Sequence, residues 1–235
     1  MLWIAGPLTR LARLSLASFE RRGFEVALWS HRPEALGDVS HAIRDASEIT
    51  PYTDDHVALS SMFRYRVLAE RGGVWADMDV VALDGAKLPD APAIASEKRR
   101  PFRHGEATAT GASLTQVTNC FMAAGDPNSS NLWSSAADAV EALPFQSRSW
   151  EAIGPHLLTK LMLADRNHGV TILPPEIVDP VAWWNVPAYF LEARDPPPSP
   201  FMHMYQSIWT KRGVDPNAAF PPDSLAGRLW RANGL

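Results

Sequence analysis

Asp77 and Asp79 stand two residues apart, directly after the apolar run Val74-Trp75-Ala76. In an extended chain, residues i and i+2 leave the same face, about 7 Å apart at Cα for a rise of ~3.3 Å per residue. Two carboxylates aimed at one point repel each other unless a cation lies between them. Oxygen-only ligands suit Mg²⁺ or Mn²⁺ better than softer metals, and an ion held by few protein atoms keeps open positions for phosphate oxygens. Asp77 and Asp79 are therefore the candidate catalytic residues and the first candidate metal ligands. A lone Asp-x-Asp is more often a solvated turn, so its setting decides.

That setting is the stretch 55–81. Asp54 or Asp55 can accept from the N–H groups that open a helix. Gly72 and Gly73 supply the positive φ that closes it. Val74-Trp75-Ala76 then reads as a short buried strand. Ser61 and Arg64 are one helical turn apart, so both can reach one ligand. Arginine suits that task because its planar fork meets oxygens two at a time.

Upstream, residues 1–5 read as a strand ended by Gly6-Pro7. A helix over 8–22 puts Leu8, Leu11, Ala12, Ser15 and Phe19 on one side, and Gly23 stops it. Residues 24–29 alternate and are β-rich, which predicts a second strand. Strand, helix, strand within 30 residues is a βαβ unit with a parallel sheet and a right-handed crossover. A short third strand is expected over 41–44. This order puts the Asp pair at the carboxyl end of a sheet strand, where ligands of open α/β sheets gather. Downstream, strands are expected over 93–97 and 117–124. A helix over 129–143 turns Leu132, Ala136, Ala139, Val140 and Leu143 inward. Residues 98–111, with Arg99, Arg100, Arg103 and His104, read as a mobile basic loop beside the site, a kind of charge run that is usually a solvated face.

The whole chain narrows the classes. At 235 residues it can bury a substantial core as one domain. A net charge of −4 argues against a nucleic-acid partner, which would need a basic footprint. The single cysteine, Cys120, excludes an internal disulfide and a cysteine zinc cage. No run of about 18 apolar residues predicts a transmembrane segment, and the start of the chain lacks a signal-peptide layout. The expected location is cytoplasmic, with contact at the inner face of the membrane left open, since it would need no anchor.

Two families carry Asp-x-Asp at the end of an apolar strand. Val74 to Val81 loosely resembles the first motif of the haloacid-dehalogenase phosphatases, which accounts for the strand alone. The whole block resembles the glycosyltransferase family with a DXD sugar-binding region, related to enzymes of bacterial capsular polysaccharide synthesis. In that family a Ser-Asp-x-x-Arg-Tyr helix runs into Gly-Gly-Val-Tyr/Trp and then Asp-x-Asp. Here Ser60-Ser61-Met62-Phe63-Arg64-Tyr65, Gly72-Gly73-Val74-Trp75 and Asp77-Met78-Asp79 fall at its spacing. Leu2-Trp3-Ile4-Ala5-Gly6-Pro7-Leu8, Gly154-Pro155-His156-Leu157-Leu158-Thr159, Pro180 to Trp184 and His203 to Trp209 resemble further segments of the same family.

The resemblance implies an α/β, GT-A-like single domain, with a Rossmann-type mixed sheet flanked by helices. Residues 1–85 would form the nucleotide-sugar part, and 86–235 the acceptor side and C-terminal part. It implies a Mn²⁺- or Mg²⁺-dependent hexosyltransferase. Such an enzyme moves a sugar from a nucleotide-sugar, UDP-sugars being favoured, to a glycan, a lipid-linked sugar or a small hydroxyl acceptor, with retention. By the same resemblance the donor would meet Trp3 (against the base), Ser61, Arg64, Tyr65, Asp77 and Asn119, and His203 would join Asp77 and Asp79 as metal ligand. One departure stands out: Ser61 occupies the place of the family's aspartate, which predicts altered donor choice or weaker donor affinity. The alternatives are the phosphatase and a non-catalytic nucleotide- or glycan-binding module on the same fold.

Overall fold

Buried serines on the first helix explain how the site's frame is tied together. The structure is a computed structural model and describes residues 1–4, 6–37, 39, 42–98 and 116–235. Helix α1 spans Arg10–Arg21, capped by the Thr9 side chain, which accepts from Ala12 N–H. Its inner face buries Leu11, Leu14, Leu16 and Phe19. Each such side chain contributes about 1.5–3 kcal/mol. Ser15 and Ser18 lie on the same face because their hydroxyls serve the edge of a strand: Ser15 Oγ donates to the Val80 carbonyl (2.6 Å) and Ser18 Oγ accepts from Ala82 N–H (2.9 Å).

The strands expected upstream are shorter than their patterns. Residues 1–5 make only an isolated parallel bridge, Leu2 to Trp29, with the Trp3 and Trp29 N–H groups donating across it. The second strand is β1, Leu28–Ser30, and the third is β2, Ile43–Asp45, which pairs parallel with β1. The parallel sense expected of the βαβ start is thus present. Residue 41 lies outside the described residues, as do Arg99, Arg100, Arg103 and His104 of the expected loop.

Helix α2, His56–Arg71, is capped by Asp55, whose carboxylate accepts from Ala58 N–H. Gly72 and Gly73 follow at φ +69° and +76°. At Gly72 a side chain would also run into the Gly125 carbonyl, so the glycine is required twice over. Strand β3, Gly73–Ala76, pairs antiparallel with a strand further along, and the chain then turns through Asp77-Met78-Asp79 into β4, Val80–Ala82.

Strands β5 (Ala93–Glu97), β6 (Gln116–Gly125) and β7 (Thr171–Leu173) complete a four-stranded mixed sheet in the order β3-β6-β5-β7, with β5 and β7 parallel. Strand β8, Phe201–His203, pairs antiparallel with β4 in a separate two-stranded sheet. Helices α3 (Asn131–Ala142) and α4 (Pro155–Ala164) pack on the larger sheet with α2, burying Trp133, Ala136, Val140 and Leu158. Pro155 sits in the first turn of α4, where a missing N–H costs nothing. Helices α5 (Gln206–Lys211) and α6 (Leu225–Ala232) cover the smaller sheet, around Phe190, Met202, Met204 and Trp209. The result is a mixed α/β, GT-A-like domain, with helices flanking a mixed sheet. Among the described residues no helix is long and apolar enough to cross a membrane.

Candidate functional site

The Asp pair sits where the chain leaves one sheet for the other. Asp77 N–H donates to the Cys120 carbonyl on β6, and Val80 N–H donates back to the Asp77 carbonyl at 3.0 Å. Residues 77–80 are therefore a turn and not the extended segment expected from their spacing. The turn forms because β3 must end against β6 while β4 must begin against β8. The two side chains still converge: ligand atoms of Asp77, Asp79 and His203 all lie within 4.8 Å of one another.

Asp77 is held by its neighbours in sequence. Trp75 Nε1 donates to its Oδ1 at 2.8 Å, and Arg64 Nη1 lies 3.3 Å from Oδ1 and 3.5 Å from Oδ2. Arg64 is itself fixed, Nη1 donating to the Asn119 carbonyl (2.9 Å) and Nε to the Ser60 carbonyl (3.1 Å). Among the described residues its Nη2 has only a 3.5 Å contact, to Ser60 Oγ. Burial raises the Asp77 pKa; the Arg64 charge opposes that rise and the nearby Asp79 charge adds to it.

Asp79 is held by the other end of the chain. His203 stands opposite Val80 in the β4–β8 register, which places its Nε2 3.3 Å from Asp79 Oδ1. Tyr205 takes a left-handed conformation (φ +52°) and starts α5, so that Gln206 N–H donates to Asp79 Oδ2 at 2.7 Å. Met204 N–H donates to the Asp79 main-chain carbonyl. Burial opposes ionisation of Asp79, but the His203 charge and these hydrogen bonds outweigh it and lower its pKa. For His203, burial opposes the charged ring. The Asp79 charge and the hydrogen bonds to Asp179 and Asp79 overcome that and raise its pKa well above the usual value.

Behind His203 lies Asp179, fully buried, whose Oδ1 is 2.9 Å from His203 Nδ1. Its Oδ2 is 3.7 Å from Cys120 Sγ. Burial and then the Asp179 charge push the thiol up to about 12, so Cys120 keeps its proton and donates. The Tyr205 ring stacks on His203 at 3.8 Å between centroids.

In front of the pair opens a cleft of about 590 Å³. Asp77, Asp79 and Gln206 lie at its wall, together with Trp3, whose Nε1 donates to the Gly6 carbonyl. Along α2 the residues at the cleft are His56, Ser60 and Arg64, a spacing of four that lines one helix face. Of the residues expected to meet a donor, Trp3, Arg64 and Asp77 line the cleft. Ser61, Tyr65 and Asn119 do not.

Ser61 is turned inward, with Oγ buried and, among the described residues, unpartnered, so Ser60, a full four residues before Arg64, takes the place beside Arg64 that was expected of Ser61. Tyr65 is wholly buried and its hydroxyl donates to the Ile153 carbonyl at 3.0 Å, locking α2 to the segment before α4. Asn119 reaches the site through its main-chain carbonyl, while its side-chain Nδ2 is buried and does not face the cleft. His203 lies behind Asp79, within reach of the pair but not on the cleft wall. The signal for His56 and Ser60 was present as the four-residue spacing on α2. Gln206, which acts through its backbone, lay in the segment resembling the family but without a role, and nothing local marked Asp179.

The set Asp77, Asp79 and His203 fits a divalent cation of the Mg²⁺ or Mn²⁺ kind: two carboxylates that would otherwise repel, and one imidazole, with ligand atoms within 4.8 Å of one another, close enough to share one ion. Residues 11–98 match the family described as glycosyltransferase sugar-binding region containing DXD motif. Among solved structures, the fold is similar to that of the PaToxG glycosyltransferase, with a TM-score of 0.50 at 16% identity over 70% of this chain and 67% of that one. No curated protein matches the chain. Residues 11–98 thus match the DXD sugar-binding region of that glycosyltransferase family, and the fold is similar to that of a solved glycosyltransferase.

Proposed function

We propose that the protein is a Mn²⁺- or Mg²⁺-dependent hexosyltransferase that takes its sugar from a nucleotide-sugar, a UDP-sugar by preference, and passes it with retention to a hydroxyl of a glycan, lipid-linked sugar or small glycoside. The observation that carries this reading is the convergence of Asp77, Asp79 and His203 beside Arg64 at one cleft with Trp3 on its wall. Asp77, Asp79 and His203 would hold the cation, whose contribution is to offset negative charge developing on the leaving diphosphate. Arg64, with Nη2 nearly unengaged, adds a second fixed positive group for the same oxygens. Because Arg64 and Asp79 are already held by the protein, little reorganisation is needed when charge develops, which favours the transition state over the ground state. Trp3 offers an aromatic edge or face for the base. The site draws Trp3, Arg64, Asp77 and Asp79 from residues 1–85 and His203 and Gln206 from 86–235, so a donor part and an acceptor part divided there would meet at the turn.

The phosphatase reading gains nothing from the site. Its nucleophile would be Asp77, whose two oxygens are both engaged by Arg64, with Trp75 on one of them. A non-catalytic module keeps one observation in its favour, namely Ser61 where the family has an aspartate.

The deciding experiment is thermal stabilisation of wild type and Asp79→Ala by UDP, GDP and their sugars, with and without Mn²⁺, followed by turnover with the best donor. Stabilisation by one nucleotide that needs metal and disappears in Asp79→Ala is expected. No stabilisation by any nucleotide would sink the reading. Stabilisation without turnover would make the protein a binding module.

A further inference from the structure

We propose that Asp179 is a positioning residue. It holds the His203 ring by Nδ1 so that Nε2 is directed at the Asp77–Asp79 pair. The inference rests on the reading of Asp77, Asp79 and His203 as one ligand set.

Three observations carry it. Asp179 is wholly buried, and a buried carboxylate is costly unless its oxygens are satisfied. Both are: Oδ1 meets His203 Nδ1 at 2.9 Å, and Oδ2 meets the Cys120 thiol at 3.7 Å. Asp179 does not line the cleft, and of its two side-chain contacts described above the one to His203 leads to Asp79 through a side chain. A hydrophobic side chain of similar size would stabilise such an interior site at least as well as an ionic pair does. The carboxylate is explained by what it does to the ring. With Nδ1 engaged behind, only Nε2 remains to face Asp79, at 3.3 Å. Tyr205 stacks on the ring face and limits its remaining freedom.

The geometry also says why the carboxylate comes from this part of the chain. Asp179 ends the turn Pro175–Val178, its own N–H donating to the Pro175 carbonyl, so its backbone is fixed independently of the ring it holds. Partners of this kind set ligand orientation and typically change metal affinity by about 10–100-fold.

The test compares wild type, Asp179→Asn and Asp179→Leu. Mn²⁺ affinity is read by the loss of the free-ion EPR signal, and the ring position by crystal structures of the metal-free proteins. Asparagine can still accept from Nδ1 and keeps the shape of the site, so it is expected to hold the ring and to bind Mn²⁺ within about 3-fold of wild type. Leucine is expected to free the ring, so that Nε2 leaves Asp79, and to weaken Mn²⁺ binding about 10–100-fold. An unmoved ring in Asp179→Leu overturns the proposal, whatever the affinity does. Equal loss of affinity in Asp179→Asn with the ring in place also overturns it, because charge and not position would then be at work. A displaced ring in Asp179→Leu, together with a wild type that binds no Mn²⁺, upholds the positioning role and sinks the metal reading instead.

Discussion

Asp77 and Asp79 are two residues apart and are built by opposite means. Asp77 is held by Trp75 and Arg64, partners 2 and 13 residues away that come from the same helix–strand block. Asp79 is held by the Gln206 N–H, 127 residues away, and by His203 on the strand just before it. The first carboxylate belongs to the four-stranded sheet and α2, and the second to the small β4–β8 sheet and α5. Electrostatics follow the same division. Burial prevails at Asp77 and raises its pKa, whereas at Asp79 the remote imidazole and backbone N–H prevail and lower it. A paired site built this way keeps its rigid half local and makes the other half depend on the C-terminal segment being in place.

The comparison is broken most forcefully at Arg64. Arg64→Ala removes the guanidinium paired with Asp77 and the donor to the Asn119 carbonyl. Loss of one partner from a buried pair costs about 3–5 kcal/mol. With Asp77 about a quarter exposed, roughly 2–3 kcal/mol is expected here. Urea unfolding should show that loss, and turnover should fall about 100-fold or more, as for removal of a fixed transition-state donor. Arg64→Lys should restore both only in part, since one ammonium replaces Nη1, which meets Asp77 and the Asn119 carbonyl, but not Nε, which holds the Ser60 carbonyl. Unchanged turnover in Arg64→Ala would mean that the local half of the site is scaffold only.

Tyr65→Phe gives an intermediate effect and sharpens the division between frame and cleft. It leaves the Ile153 carbonyl without its donor, costing about 1–2 kcal/mol in thermal or urea unfolding. Donor affinity should stay at the wild-type value, because the hydroxyl faces the interior. A specific loss of donor affinity with stability intact would return Tyr65 to the binding site.

The smallest effect is expected from Gln206→Ala on the remote side. The contact to Asp79 is made by the backbone N–H and survives; only the Thr9 Oγ1 to Gln206 Oε1 contact at 2.6 Å is lost. Stability should change by about 1 kcal/mol or less, and Mn²⁺ affinity by less than about 3-fold. A large loss of Mn²⁺ affinity, measured by calorimetry, would mean that the side chain and not the main chain serves the site.

The division also describes what could be read in advance. Residues 55–81 declare themselves locally: the Asp55 cap, the glycine pair, the short apolar strand and the two carboxylates each follow from conformational preference within a few residues. Even there two details went otherwise. The Asp pair lies in a turn, because two different sheets compete for the residues on either side of it. Ser60, not Ser61, reaches the cleft, because the rotation of α2 is settled by what its other faces bury. The strands over 1–5 and 24–29 shrank to a bridge and three residues, since strand length depends on how much partner strand is present.

By itself, then, the sequence determined the chemistry available and the half of the site that is contiguous: an anionic pair after a buried strand, with an arginine one helix before it. For the other half the family resemblance named His203, but its partners were decided by the tertiary structure. Pairing of β4 with β8 puts His203 beside Asp79, a left-handed Tyr205 aims a backbone N–H that carries no side-chain signature, and Asp179 reaches the back of His203 from an otherwise unmarked turn. Periodicity and caps act over one or two turns of chain, whereas these contacts depend on register between distant strands, which is set by the packing of the whole core.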